Sequence, residues 1–376
     1  MTDASIDSGS PYSIGKLAFH PEHVEAFRAG KRLAPVQIHL MPQNRCNHSC
    51  GFCSYRLENW KNSVQFDDSQ AIPWSILEPT LRDAREMGVK AIELTGGGEP
   101  FLYPEIDKLV ELIDELGFDL GIVSNGTPIT AARAQRISMV PRWLWARVSI
   151  DAGTPETYCA VRMVAATHWA LAWGAIRNLA RARNGRADRR VGVGFVVTRE
   201  NYAEVFDFCK LAKEAGADNV RLSVRFGPDG NDYYGPGQLD RAEEDARRAE
   251  RVLNEPGRFQ VMNLIGERRS NQAASVQDYE PCYAMRMLCV VGGDSKVYTC
   301  CTLAFNPAGE MGDLRKTSFR ELWSGPAGDA FFEKFSVRER CKVACLYERR
   351  NLAMISLVDS GKPVAPAGPG LHSNFV

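Results

Sequence analysis

The chain lacks a net charge, a long apolar run and a secretory signal. Its 46 lysines and arginines balance 46 aspartates and glutamates over 376 residues, so the overall positive charge typical of nucleic-acid-binding proteins is missing. No apolar stretch approaches membrane-spanning length, and residues 1–15 are polar. No internal repeat is visible. These absences argue against nucleic-acid and membrane partners and predict a protein of the reducing cytoplasm.

Cysteine, in contrast, is abundant. Of the 11 cysteines, Cys46, Cys50 and Cys53 are spaced CxxxCxxC just after the apolar run 36–41. A cubane iron–sulfur cluster has four irons, so three cysteine ligands leave one iron open to a substrate or cofactor. Two alternatives are a zinc site completed by His48 and three unrelated reduced thiols. Zinc ligands, however, usually come in pairs and close a tetrahedron.

A glycine-rich turn follows the second apolar stretch, 89–94. It runs from Gly96 to Pro100 and precedes a helical pattern that begins near Ile106 and ends at Gly117. Glycines at the end of a strand let the backbone approach a ligand closely. Taken alone, such a run is also typical of an ordinary strand-to-helix turn.

The two motifs together resemble the signature of the radical S-adenosylmethionine (SAM) enzymes. In that family the open iron chelates SAM, and an aromatic residue in the position of Phe52 packs near the adenine. The element matched by Gly97, Gly98, Glu99 and Pro100 binds the SAM amino group. The resemblance implies reductive cleavage of SAM to a 5′-deoxyadenosyl radical that abstracts a substrate hydrogen. The electron would come from a reductant such as flavodoxin or ferredoxin.

The first 230 residues alternate apolar runs with segments of helical periodicity. Repeated strand–helix units predict an α/β fold with a parallel sheet. Six such units fit the partial (β/α)6, TIM-like barrel of the resembled family, whose functional residues lie at the C-terminal strand ends. The apolar runs lie near 36–41, 90–94, 119–123, 144–150, 191–197 and 219–224.

Polar residues at these strand ends are the candidates for further SAM contacts. By resemblance, Ser149 and Asp151 lie near the ribose or methionyl group, and Arg162 pairs with the SAM carboxylate. Ser124 and Asn125 end the third strand and join the same set. Each assignment competes with helix capping, which uses the same residue types.

The end of the sixth strand supplies the candidate catalytic residue, Arg225. The loop 227–240 follows and is rich in glycine, proline and aspartate, which forbid regular structure. It should overhang the barrel mouth, where Tyr233 and Tyr234 could contact substrate. A flexible connector to a helix at 240–254 is the favoured interpretation.

A second cysteine group lies between residues 282 and 345. A strand at 288–291, a turn at 292–294 and a return strand predict a hairpin that ends at Cys300 and Cys301. With a helix carrying Trp323 and a final cysteine pair, this order resembles the SPASM or twitch extension of radical SAM enzymes. The resemblance implies one auxiliary [4Fe–4S] cluster, and its ligands would be Cys282, Cys300, Cys341 and Cys345.

Two features depart from the family pattern: Ser295 replaces the usual glycine, and the final pair is separated by three residues rather than two. A structural zinc is the alternative to the cluster. Cys289 and Cys301 are left over. Alternation on a regular strand favours Cys300 over Cys301 as ligand, and Cys289 is typical of a small buried hydrophobe. Whether either one ligates a cluster stays open.

The motifs predict four segments along the chain. These are an N-terminal extension (1–34), a radical SAM partial barrel (35–255), a small α+β auxiliary-cluster domain of the SPASM or twitch type (256–350) and a tail (351–376). Peptide-modifying relatives often carry an N-terminal leader-binding domain, and 35 residues before the first strand are too few for one.

The preferred substrate is therefore a small polar metabolite, such as an aminocyclitol or amino sugar, which the enzyme would oxidise by dehydrogenation. One alternative is crosslinking or epimerisation of a ribosomally made peptide. A different class of function is a SAM- and cluster-binding sensor or maturation partner without turnover.

Overall fold

One continuous sheet organises the chain. The computed structural model describes residues 14–57, 64–273, 277–342, 344–362 and 371–376. Within them, ten strands follow the order β10-β9-β8-β1-β2-β3-β4-β5-β6-β7. The strands are β1 (Gln37–Leu40), β2 (Ala91–Leu94), β3 (Asp119–Ser124), β4 (Trp143–Ser149), β5 (Arg190–Val197), β6 (Asn219–Val224), β7 (Gln260–Asn263), β8 (Leu288–Val291), β9 (Lys296–Tyr298) and β10 (Glu310–Asp313).

The central strands are parallel, as the sequence predicts. Every neighbouring pair from β8 through β1 to β7 is parallel, whereas β9 pairs antiparallel with both β8 and β10. The six predicted strands correspond to β1–β6, which confirms the α/β class. The hairpin predicted in the second cysteine group is β8–β9. Three features of the sheet were not predicted. Strand β7 extends the sheet beyond β6, β8 joins the C-terminal region to β1, and β10 pairs with β9.

Helices connect the parallel strands, precede β1 and follow β10. They are α1 (Pro21–Arg28), α2 (Trp74–Met87), α3 (Ile106–Glu115), α4 (Ala131–Met139), α5 (Pro155–Arg162), α6 (Thr167–Ala182), α7 (Val205–Glu214), α8 (Gln238–Leu253), α9 (Ile265–Ala273), α10 (Ala284–Met287), α11 (Phe319–Ser324), α12 (Pro326–Lys334), α13 (Val337–Arg340) and α14 (Glu348–Asp359). Short 3₁₀ helices span Ile14–Phe19, Pro100–Leu102, Tyr202–Glu204, Gly230–Tyr233 and Cys301–Leu303. No helix in the described ranges is long and apolar enough to cross a bilayer.

Local signals explain where helices end. In α3, Ile106, Leu109 and Ile113 are buried on one face, and Gly117 adopts a left-handed φ of 69° just beyond the helix. The Phe118 N–H then donates to the Ile113 carbonyl (3.1 Å), which completes a glycine-based helix end. The predicted stop at Gly117 is confirmed.

Strand alternation separates a core layer from an inner surface. Ile38, Leu40 and Ile92 are fully buried in the main hydrophobic core, and burying each such side chain is worth about 1.5–3 kcal/mol. The alternate positions are polar: His39 on β1 and Glu93 on β2 line an internal cavity. The inner face of these strands is therefore polar and borders a cavity, whereas the opposite face packs into the hydrophobic core.

Candidate active site

The loop after β1 carries three cysteines, and side-chain N–H groups from other elements approach two of their sulfur atoms. Asn125 Nδ2 lies 3.9 Å from the Cys46 sulfur, and an Arg162 guanidinium nitrogen lies 3.4 Å from the Cys50 sulfur. Burial raises the pKa of the Cys46 thiol and raises that of Cys53 to about 11. Thiols in such surroundings become thiolates when a metal binds them, and N–H groups aimed at sulfur are typical of iron–sulfur sites. The three residues thus fit a three-cysteine cluster.

The turn after β2 passes so close to the cysteine loop that only glycine fits. A Cβ on Gly98 would lie 2.1 Å from the Arg45 carbonyl oxygen, and one on Gly97 would lie 2.7 Å from Asn44 Oδ1. The Glu99 N–H donates to the same Arg45 carbonyl (2.9 Å). The cysteine loop and the glycine turn therefore pack directly against each other, and together they form one wall of the site.

Glu99 ties this wall to the end of β3. Its buried carboxylate accepts hydrogen bonds from the Ser124 hydroxyl (2.8 Å) and from the backbone N–H groups of Asn125 (2.7 Å) and Phe101 (3.1 Å). Burial raises the pKa of Glu99, and these three donors oppose that rise. The structure thus brings Glu99, Ser124 and Asn125 together. Their individual contacts with SAM stay predictions.

Arg162 and Asp151 form a buried ion pair beside Cys50. Asp151 also accepts a hydrogen bond from the Val196 N–H (2.6 Å), and the Arg162 guanidinium lies 5.4 Å from the centre of the Phe52 ring. Burial opposes the charge on Arg162, but Asp151 and then Cys50 outweigh it and raise the pKa of the guanidinium. Arg162 therefore faces the cysteine loop as a permanent cation, and Asp151 holds it there.

A cavity of about 350 Å³ lies over the cysteine loop. It is lined by the three cysteines and by every residue that the sequence assigned to SAM except Asp151, which sits behind Arg162. The lining members of that set are Phe52, Gly97, Gly98, Glu99, Pro100, Ser124, Asn125, Ser149 and Arg162.

A second cavity of about 500 Å³ lies deeper in the barrel and shares wall residues with the first, among them Tyr55, Thr95, Arg221 and Cys301. We call this deeper cavity the inner chamber. Six arginines line it, against two glutamates, Glu93 and Glu267; the arginines are Arg147, Arg190, Arg221, Arg268, Arg349 and Arg350. Burial lowers the pKa of His39, which also lines the chamber, so this imidazole is neutral at pH 7. Glu267 already pairs with Arg349 (2.6 Å) and lies 3.8 Å from Arg268, so two of these arginines are partly neutralised. The lining still carries an excess of positive charge, because arginines outnumber carboxylates there.

Arg225, the predicted catalytic residue, does not line either cavity. Its guanidinium packs on the Tyr233 ring (4.1 Å to the centroid), and its backbone N–H donates to the Tyr234 hydroxyl (2.9 Å). The two tyrosines thus anchor the loop after β6 rather than face the chamber. Arg221, which lies within β6, is the arginine that reaches the wall of both cavities.

The second cysteine group assembles around α13 and the start of α14. The Cys282 thiol is raised in pKa first by burial and then by Cys345 and Cys341, and the Cys300 thiol by burial and then by neighbours that include Cys345 and Cys282. The Tyr279 hydroxyl donates to the Cys345 sulfur (3.6 Å). Four partly buried thiols that destabilise one another's anions fit a bound cluster, which would supply the missing positive charge.

The two left-over cysteines have different surroundings. Cys289 is fully buried in β8, and burial alone raises its pKa, so it behaves as a core residue. Cys301 lines both cavities, and its sulfur lies 3.4 Å from the Tyr347 hydroxyl. Cys301 therefore stands between the auxiliary cysteines and the chamber.

Comparisons with known proteins agree with this geometry. Residues 40–233 match the family model of the radical SAM superfamily, and residues 282–346 match that of the SPASM iron-sulfur cluster-binding domain. Among solved structures, SuiB of Streptococcus suis bound to S-adenosylmethionine is similar in fold, with a TM-score of 0.62 at 15% identity over 93% of this chain and 80% of that one.

Curated relatives match different lengths of the chain. An S-adenosylmethionine-dependent nucleotide dehydratase of a Thermoplasmatales archaeon is 36% identical over 32% of this chain and 39% of its own. Mycofactocin maturase MftC of Mycobacterium ulcerans is 29% identical over 74% of this chain and 72% of its own. PqqA peptide cyclase of Gluconobacter oxydans is 26% identical over 55% and 52%. The chain thus spans from little more than a third to about three quarters of these relatives.

Proposed function

The chain belongs to the radical SAM superfamily, and we propose that it removes a hydrogen atom from a peptide whose reacting residue enters the inner chamber beside a carboxylate. The observation that carries the proposal is the inner chamber itself. Six arginines and two glutamates line it, and it shares wall residues with the cavity over the cysteine loop. Guanidinium groups bind carboxylates in pairs of charge-assisted hydrogen bonds, so this lining selects an anionic substrate.

The residues that line the cavity over the cysteine loop have a separate role, which is to bind the cofactors. The cluster and SAM, when bound, supply the one-electron chemistry that makes an unactivated C–H bond reactive. Arg162 is the candidate partner of the SAM carboxylate, and Asp151 acts as its positioning residue. The glycine turn at Gly97 and Gly98 brings backbone to the cofactor without an intervening side chain.

The relatives favour a peptide as the carrier of that carboxylate. The PqqA relative, which matches 55% of this chain, is by name a peptide cyclase. A small anionic metabolite is the second candidate, because the nucleotide dehydratase is the relative of highest identity among these three. The positive lining argues against an aminocyclitol or amino sugar, whose ammonium groups it would repel.

A substrate panel tests the proposal. Anaerobic, cluster-loaded enzyme with SAM and a reductant is incubated with acidic peptides, with the same peptides carrying Asn and Gln for Asp and Glu, with nucleotides and with amino sugars. We expect 5′-deoxyadenosine and a mass change only with the acidic peptides. Turnover of nucleotides would move the function to the second candidate. Equal turnover of neutral peptides, or turnover of amino sugars, would overturn the role given to the chamber.

Arg350 offers a direct check of the chamber. Arg350→Gln removes one lining cation, and a lost hydrogen bond to a charged group is worth about 1.5–3 kcal/mol, so KM should rise roughly tenfold or more with smaller change in SAM affinity. Arg136→Gln is the matched control, since Arg136 is exposed and pairs with Asp107 on the surface. Identical KM values in the two variants would contradict the proposal.

A further inference from the structure

Three metal-binding side chains converge at the start of α1, outside both cysteine groups. One ring nitrogen each of His20 and His23 and a carboxylate oxygen of Glu22 all lie within 4.8 Å of one another. The two Nδ1 atoms are 3.8 Å and 3.7 Å from the same oxygen, Glu22 Oε1. His20 is the residue just before the helix, and the other two lie in its first turn, so the backbone sets their common direction.

The second ring nitrogen of each histidine is already in use. His20 Nε2 lies 2.9 Å from the Ser373 carbonyl oxygen, and His23 Nε2 lies 3.0 Å from the Ala34 carbonyl oxygen. A carbonyl oxygen can only accept a hydrogen bond, so each Nε2 carries the proton and each Nδ1 presents a lone pair. Metal-binding histidines are oriented in this way by a hydrogen bond from the ring nitrogen that does not bind the metal.

Both lone pairs are buried without a partner. His20 is 1% exposed and His23 4%, and no donor in the described part of the chain reaches either Nδ1. A buried acceptor that has lost water and gained no donor is costly. Two such acceptors beside a carboxylate cannot satisfy each other, whereas a cation between them would satisfy all three.

One competing cation is present in the structure. The Lys90 ammonium lies 2.8 Å from Glu22 Oε1, and the positive end of the α1 dipole also opposes a second cation here. Lys90 is more than a third exposed on a flexible stem, so its ammonium can move to solvent. Neither effect provides the two imidazoles with a donor.

We propose that His20, Glu22 and His23 bind a divalent transition-metal ion such as Zn²⁺. Two imidazole nitrogens and a carboxylate oxygen are a ligand set that zinc accepts. His20 also contacts the 371–376 segment through Ser373, and in that segment the Phe375 carbonyl accepts a hydrogen bond from Lys16 (3.0 Å). Phe375 packs against Trp145 in the wall of the inner chamber. The ion would therefore fix α1 to a segment that helps to close the chamber.

Zinc binding by the full-length, cluster-loaded enzyme tests this inference. Iron and zinc are measured together after equilibration with Zn²⁺ and removal of excess, and the Kd for Zn²⁺ follows from chelator competition. We expect a stoichiometric zinc, lost without loss of iron in Glu22→Gln and His23→Asn. Their Kd should rise at least about tenfold, the loss typical of removing even an outer partner of a ligand. Glu25→Gln, on an exposed position of the same helix, is the matched control.

The Lys90→Met variant distinguishes a change in Zn²⁺ affinity from a loss of folding. Removal of the competing ammonium should tighten Zn²⁺ binding, a change that misfolding cannot produce. Zinc that is retained equally in Glu22→Gln, His23→Asn and Glu25→Gln would belong to other residues and would overturn the proposal, as would a wild-type enzyme that retains none. Weaker binding in Lys90→Met would also contradict it.

Discussion

At the residue scale, Asp151 shows how a side chain outside a cavity can control one that lines it. Its backbone is left-handed (φ 61°), its carbonyl accepts from Asn201 Nδ2 (2.8 Å), and its carboxylate is shared between Val196 and Arg162. The Asp151 carboxylate is thus held in place against Arg162, which lies beside Cys50. A residue held this way has its effect through geometry rather than through contact with a ligand.

We therefore expect Asp151→Asn to weaken SAM binding even though residue 151 is hidden from the cavity. Loss of one partner from a buried ion pair costs about 3–5 kcal/mol, so the thermal midpoint should fall as well. Asp107→Asn is the control, because this carboxylate pairs with Arg136 on the surface, where such pairs are worth about 0–1 kcal/mol. Equilibrium dialysis with SAM is the measurement. Equal SAM affinity in both variants would show that Asp151 does not position Arg162.

The parts of the site that short, contiguous sequence motifs encode could be predicted, and the parts that depend on the direction of single side chains could not. The cysteine and glycine motifs are short, contiguous patterns, and the structure places both at one cavity. Arg221 was missed although its signal exists: it is the charged member of the polar positions Asn219, Arg221 and Ser223, which alternate with apolar residues along β6. Arg225 obeys the same strand-end rule as Ser149, yet the chain leaves the strand at Val224 and turns its side chain toward the loop.

At the scale of elements, the cysteine loop and the glycine turn behave as one unit because their backbones touch. A Cβ at Gly98 would meet backbone atoms at 2.1 Å and 2.5 Å, and backbone cannot move aside as a side-chain tip can. Gly51 lies within the cysteine motif itself, yet a Cβ there has nothing within 4 Å. Gly98 is therefore required by close packing, whereas nothing in the packing around Gly51 requires a glycine.

Gly98→Ala should disrupt the shared wall, whereas Gly51→Ala should be nearly neutral. Overpacking of this kind costs typically about 1–3 kcal/mol, and we expect a lower thermal midpoint and at least a tenfold rise in the Kd for SAM in Gly98→Ala alone. Both variants are compared at equal iron content. A Gly51→Ala variant with the larger defect would mean that the close approach is not what limits binding.

Elements with local signals were predictable and those with remote partners were not. Helix α3 follows from apolar spacing and a terminal glycine within a dozen residues. The neighbour of β1 on its other side is β8, nearly 250 residues away, and no local pattern encodes that pairing. Strand β7 is four residues long, with two half-buried polar ends, and such a short run carries little period-two signal.

At the scale of the whole molecule, two cysteine groups share one sheet and one internal space. Strand β8 pairs with β1, which leads into the first cysteine loop, and the chain after the β8–β9 hairpin carries Cys300. The sheet thus fixes the second module against the barrel.

Iron content tests this organisation. Two [4Fe–4S] clusters predict about eight irons per chain, and replacing Cys46, Cys50 and Cys53 together with Ala should leave about four and abolish 5′-deoxyadenosine formation. About twelve irons would instead require Cys289 or Cys301 as ligands, which the core position of Cys289 opposes. Four irons and one zinc per chain would instead mean that the second cysteine group binds a structural zinc ion rather than a redox-active cluster. A triple variant that still cleaves SAM would contradict the role of the first cysteine group.

The second module also reaches the inner chamber. Leu346 and Tyr347, which follow Cys345, line its wall, and so does Cys301, which follows Cys300. The predicted cluster ligands Cys300 and Cys345 are thus one residue removed from the chamber surface. An electron acceptor in this position suits a substrate that loses a hydrogen atom and then an electron, which together make a two-electron oxidation.

We accordingly expect Cys345→Ala to retain part of the SAM cleavage while losing the oxidised product. All residues that line the cavity over the first cysteine loop, except those near Cys301 and Leu346, belong to the barrel, so SAM binding should survive the change. A substrate deuterated at the reacting carbon reports the outcome by mass spectrometry. In the wild-type enzyme an oxidation leaves deuterium in 5′-deoxyadenosine and consumes SAM in step with product. Return of the label to the product, with no net oxidation by fully loaded wild-type enzyme, would instead establish an epimerase or mutase and remove any need for an electron acceptor beside the chamber.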